Sequence, residues 1–152
     1  MHKQSYVKFG LMILVSTLVM FALMYFNIFQ LNHIFFSETR AYMAIMMGAA
    51  MAFIMMLFMW KMYANRRANV IILACSAVVF GASLWLVRSQ ETVGDIAWMK
   101  AMIPHHSIAI LTSERANITD PRVQDLANRI IESQLQEIDE MKGLIQSIEN
   151  GN

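Results

Sequence analysis

Of the 152 residues, 57% are hydrophobic and 15% charged, against about 25% charged in a soluble globular domain; this composition belongs to a small integral membrane protein. A net charge of +1, with no basic stripe interleaved with aromatics, excludes a nucleic-acid partner. The single cysteine, Cys75, excludes a disulfide framework or a thiolate cluster within one chain.

In chain order, Met1 to Lys8 is a short basic lead carrying Lys3 and Lys8. The apolar run from Phe9 to about Phe29 is too long for a signal-peptide core and lacks a small-x-small cleavage site after it, so it is expected to be a retained transmembrane helix. Leu31 to Arg40 reads as a loop with His33, Glu38 and Arg40, flanked by Phe35, Phe36 and Tyr42, aromatics of the kind found at a membrane interface. A second span is expected over Ala41 to Tyr63, ending in Trp60 and Tyr63. A polar link with Arg66 and Arg67 leads to a third span over Val70 to Val87, closed by Trp85 and Arg88.

Lys3, Lys8, Lys61, Arg66 and Arg67 fall on one side of these spans, and Arg40, Arg88 and Lys100 on the other. By the positive-inside rule the amino terminus is cytoplasmic, and the tail from about Gln90 faces the periplasm or the exterior of a bacterial inner or plasma membrane. The expected organisation is a membrane domain over residues 1–89, with spans near 9–29, 41–63 and 70–87, and an extracytoplasmic helical hairpin over 90–152.

The second span holds Met43, Met46, Met47, Met51, Met55, Met56, Met59 and Met62. Five of these step by four and invite a thioether ladder for Cu(I), because soft donors select that ion. The competing reading is methionine as flexible apolar filler, with Gly48 and Ala52 forming a small-xxx-small helix contact. No charged residue lies between Ala41 and Trp60, so a charged proton relay has no footing there.

The tail reads as two helices. The first runs from about Thr92 to Ala116. The second opens at Thr119-Asp120-Pro121, an N-cap side chain before a first-turn proline, and runs to about Ile148. Pro104 removes one backbone hydrogen bond and is expected to kink the first helix just before His105. Within it Met99, Met102, His105 and His106 bring thioethers and imidazoles within one to two turns, a pattern that suits copper. On a helical wheel Asp95, Met99, Met102, His106, Ala109 and Ser113 share one face, and Lys100, Ser107 and Arg115 lie opposite. In the second helix Val123, Ile130, Gln134, Glu137, Met141, Ile145 and Ile148 share a face. Gln134 and Glu137 inside that stripe need partners, either across the helix pair or on a metal. Counting outward from a turn near Ile118 sets Gln134 level with Met102 and His105, and Met141 nearer Met99.

The run Trp98-Met99-Lys100-Ala101-Met102-Ile103-Pro104-His105-His106, then Ile118 to Val123, Leu126-Ala127, Ile130-Ile131, Gln134, Glu137-Ile138 and Met141, resembles the family known as domain of unknown function 305, over about residues 95–144. The resemblance implies a ferritin-like helical fold, an extracytoplasmic location and, in some members, copper binding through histidine and methionine. Matched residue by residue, it carries over Met102, His105, His106 and Met141 as ligands, with Gln134 and Glu137 as further matched positions. Where the family commonly has Asp-Met after the His-His pair, this chain has Leu111-Thr112.

These readings lead to an all-α protein with three transmembrane helices and a hairpin that assembles, as a homodimer, into a ferritin-like four-helix bundle. The leading function is sequestration or handover of Cu(I), with a copper donor or acceptor protein as partner beside the lipid bilayer. A transport component built on the methionine-rich second span and a non-metal oligomerising scaffold are the alternatives. An enzyme is not expected. The Glu-x-x-His repeats of di-iron bundles, a His-Glu-x-x-His motif and a Gly-rich phosphate loop are all missing, and Ser107 and Ser113 read as helix surface or stripe border.

Overall fold

The computed structural model describes residues 2–151, with side chains from Ser5 onward; Met1, Asn152 and the side chain of Lys3 in the basic lead lie outside the described residues. The protein is all-α: α1 (His2–Leu23), α2 (Glu38–Phe58), α3 (Arg66–Ser89), α4 (Asp95–Arg115) and α5 (Pro121–Glu149), with one 3-10 turn at Leu31–His33 and no strand among the described residues. It divides into two compact units, Met1–Met24 with Thr39–Thr92, and Tyr25–Glu38 with Val93–Asn152.

The first unit holds three helices long and apolar enough to cross a membrane, at Ser5–Leu23, Glu38–Phe58 and Arg66–Ser89. Their outward faces carry Leu11, Leu14, Val15, Leu18, Ile54, Val70 and Val78, all more than half exposed, as suits helices solvated by hydrocarbon. With no hydrophobic drive between helices in lipid, close approach rests on small side chains. On α2 the buried positions are Ala44, Gly48, Ala49, Ala52 and Met56. A Cβ placed on Gly48 would collide with the Thr17 hydroxyl, so α1 crosses α2 at a position only glycine leaves open. Phe9, Ala52 and Met56 form the buried cluster beneath, with Ile72 and Leu73 of α3 against it.

The spans differ from their expected limits for reasons visible at their ends. The first stops at Leu23 and not near Phe29. Beyond it the Arg40 guanidinium donates to the Met24 carbonyl at 2.8 Å, and Phe29 is drawn into the core of the second unit. The second stops at Phe58 and not at Tyr63, because the carbonyls of Trp60 and Tyr63 accept from the buried Asn69 amide at 3.3 and 3.1 Å. The third starts early, at Arg66, where the Asn65 side chain caps it by accepting from the Ala68 N–H. Of the six methionines within α2, Met56 is buried, Met43 is exposed and the other four are half-buried, while Met59 and Met62 lie beyond its end. The buried stripe of α2 is thus made of small residues, and the methionines fill around it.

In the second unit α4 and α5 pack as an antiparallel hairpin. Lys100 near the start of α4 pairs with Glu149 at the end of α5 (2.7 Å), and His106 in mid-α4 meets Glu137. Met99, Ile103 and Ile110 from α4 interleave with Ile138, Met141 and Ile145 from α5. The helix runs on through the buried Pro104. Segment Tyr25–Glu38 adds a third layer to this unit: its 3-10 turn packs on α4, and Phe29 and Phe35 pack against the hairpin core.

Candidate metal centre

His106 is the middle of the site. One turn of helix brings its Nδ1 3.0 Å from the Met102 carbonyl, and the antiparallel pairing brings its Nε2 2.7 Å from Glu137 Oε2. Both neighbours are acceptors, so both contacts are made only when the ring donates from both nitrogens. Glu137 is braced from the other side by the Ser133 hydroxyl, which donates to Oε1 at 2.8 Å. That hydroxyl, and then His106, hold the Glu137 carboxyl below the usual carboxylate range.

The thioethers belong to the hairpin core. Met99 and Met141 are buried in the hairpin core, and Met102 packs against the same cluster. His105 is exposed, its ring centroid 6.1 Å from that of His106. Two imidazoles on one ion through 2.0–2.1 Å bonds stand roughly 5–6.5 Å apart, so this spacing is compatible with a shared ion. Gln134 is half-buried one turn before Glu137. Among the described residues no three or more His, Cys, Asp or Glu side chains gather into a metal-holding group.

Two features differ from the sequence reading. Glu137 and not Gln134 stands level with the histidines. Ala116 and Asp120 at the ends of the connecting link are both extended, with the Ile118 N–H turned back onto the Ala116 carbonyl at 3.0 Å between them, so the link is not a turn symmetric about Ile118 and the register differs from the one counted from it. Ser107, placed by the wheel on the outer face, is fully buried. Segment 25–38 covers it: the Phe29 N–H donates to Ser107 Oγ at 2.7 Å, and His33 Nδ1 lies 2.9 Å from the same oxygen. His33 is itself buried, and burial foremost, with Lys142 second, holds its imidazole below the ordinary value, against a smaller opposing pull from Asp139. The uncharged aromatic stretch around His33 was the only sequence signal for this contact.

With the hairpin, the thioethers and the His106–Glu137 pair in place, the comparison with known families becomes specific. Residues 86–151 match the family described as Domain of unknown function (DUF305). All of α4 and α5, and so every candidate ligand, lie inside the matched segment. An uncharacterized protein of Acanthamoeba polyphaga mimivirus is 42% identical over 64 residues, 41% of this chain and 42% of that relative. The chain therefore spans less than half the length of the relative it matches. No solved structure matches the chain.

Proposed function

We propose that this is a membrane-anchored copper-binding protein whose DUF305-like segment, on the extracytoplasmic side, sequesters Cu(I) or hands it over, with a copper donor or acceptor protein as its partner. The observation that carries this reading is the gathering of Met99, Met102 and Met141 in one cluster of the same helix hairpin that holds His106. Thioethers bind Cu(I) and have little affinity for Mg(II), Ca(II) or Zn(II), while imidazole serves copper in both oxidation states. Met102, His106 and Met141 would hold the ion, with His105 and Met99 as further donors and Gln134 and Glu137 flanking them. Binding through His106 Nε2 requires the ring to release Glu137.

The hairpin is read as half of a ferritin-like four-helix bundle formed by two copies. Val123, Leu126, Leu144 and Ile148 of α5 and Trp98 of α4 remain 47–50% exposed, a stripe that a second hairpin would cover. The basic residues Lys8, Lys61, Arg66 and Arg67 flank the ends of the apolar helices that the positive-inside rule assigns to the cytoplasm.

The test is competition titration of the full chain in detergent with Cu(I), Cu(II) and Zn(II). Replacing His105 and His106 by alanine should weaken Cu(I) by tenfold or more, on the order of a lost ligand or its support. Replacing Met102 and Met141 by leucine should weaken Cu(I) more than Cu(II). If the histidine pair can be removed without change, or zinc displaces Cu(I) under reducing conditions, the reading is wrong.

A further inference from the structure

We propose that segment Tyr25–Glu38 is a membrane-seated clasp: one side grips the α4–α5 hairpin, and the other inserts Phe26, Leu31 and Ile34 among the lipid headgroups and upper acyl chains. The proposal rests on α1 and α2 spanning the bilayer and is independent of copper.

The segment is tethered at both ends to span-length helices, since α1 ends at Leu23 and α2 begins at Glu38. The Arg40 guanidinium donates to the Met24 carbonyl at 2.8 Å, so the two ends are tied together where the spans begin. The Ser37 N–H donates to the Tyr25 hydroxyl at 3.1 Å and closes the base of the loop. From Tyr25 to Ser37 there is no Asp, Glu, Lys or Arg, which is unlike a solvated loop. The side chains then sort by face. Phe29, His33 and Phe35 face the hairpin, through the Ser107 hydrogen bonds and the shared apolar core. Phe26, Leu31 and Ile34 are 77%, 83% and 49% exposed.

Large apolar side chains beside an apolar span, with no charge among them, form the surface an interfacial segment presents to lipid, where such a face sits about 5–10 Å into the headgroup and acyl boundary. The exposed Asn27, Gln30 and Asn32 supply uncharged polar groups suited to the headgroup layer. Along the chain these exposed residues continue the outward-facing Leu18, Val19 and Leu23 of α1. This continuity favours lipid over a second copy as the occupant. The inner side is hydrogen-bonded to α4, so a lipid-seated segment would draw the α4–α5 hairpin with it.

The experiment is nitroxide accessibility on the full chain in phosphatidylcholine–phosphatidylglycerol liposomes, in a Cys75→Ser background. Phe26→Cys and Leu31→Cys carry the label in turn, with Val78→Cys, an exposed position within α3, and Glu132→Cys, an exposed position on α5, as references. The expected result is oxygen access at Phe26 and Leu31 approaching that at Val78, and access of a water-soluble nickel chelate several-fold below that at Glu132. Nickel access equal to that at Glu132, with Val78 in lipid, overturns the clasp alone. Low access to both reagents with spin–spin broadening identifies a second copy as the occupant and also overturns it. A Val78 label in water removes the membrane reading and the clasp with it.

Discussion

Ser107 Oγ lies 2.9 Å from His33 Nδ1, joining two residues that are 74 positions apart and both buried. The same oxygen accepts the Phe29 N–H, and its remaining lone pair or its own proton meets the imidazole nitrogen, according to the His33 tautomer. Through this one side chain the interspan segment is fixed to the helix that carries the histidines.

Ser107→Ala should therefore loosen segment 25–38. It leaves a backbone N–H and an imidazole nitrogen buried without their partner, at a cost of about 1–3 kcal/mol. Hydrogen exchange of peptides covering residues 25–38 in the full chain should accelerate roughly 5- to 150-fold, the range that cost implies for a locally opening segment. Ser113→Ala, on a half-buried position of the same helix, should leave these peptides unchanged. Unaltered exchange in Ser107→Ala would show that the hydroxyl does not secure the segment.

The clasp should also depend on pH, with a definite sign. Burial, the largest influence, lowers His33 below its ordinary value of 6.5; Lys142 acts in the same direction and Asp139 against it. A group whose native value is depressed binds protons more readily when the segment is open. Its contribution is complete above about 6.5 and drains away as pH falls through the lower native value. Protection of peptides 25–38, corrected for intrinsic exchange rates, should decline on acidification in the wild type and be nearly flat in His33→Asn. An equal decline in both proteins would assign the pH effect to another group.

Much of this architecture was legible because its signals are local. Length and apolarity mark the three helices able to cross a membrane, and the Asp120-Pro121 cap opens α5 where the sequence places it. The clasp was not legible, because a helical wheel assumes one buried face. α4 is buried on two sides: Met99 and Ile110 meet α5, and Ser107 meets segment 25–38. Nothing within α4 announces the second partner, which comes from far upstream in the chain. The pairing of His106 with Glu137 was likewise beyond counting, since the register depends on the path the link takes between the helices.

The Gly48–Thr17 approach makes a prediction for the first unit. Gly48→Ala forces a methyl group against the Thr17 hydroxyl, and overpacking of this kind costs about 1–3 kcal/mol. Thr17 also donates to the Ile13 carbonyl at 2.8 Å, which fixes its rotamer against simple rotation away. Gly48→Ala should lower the thermal midpoint of the full chain in detergent. Adding Thr17→Ala should restore much of the loss, because the colliding atoms are gone. If Gly48→Ala is neutral, or the double variant is no better than the single one, the two helices do not depend on this contact.

Assembly of the hairpins is the remaining prediction. Two helices bury little apolar surface by themselves, and here the stripe of Val123, Leu126, Ile130, Leu144 and Ile148 stays 37–48% exposed on one side of α5. Successive members lie three or four residues apart, or sit whole turns further along, so they form one face and not scattered exposure. A second copy turned about a two-fold axis would set this face against itself and complete a four-helix core, an arrangement that permits an interface of the usual 1,200–2,000 Å² or so. Full-length protein in mild detergent should therefore be dimeric by native mass spectrometry. Leu126→Glu with Ile130→Glu should dissociate the dimer, since charges buried without partners oppose association. Leu135→Glu, on a different side of α5 and 38% exposed, should leave it intact. A monomeric wild type, or a dimer indifferent to the paired glutamates, would mean that this face meets something other than a second copy.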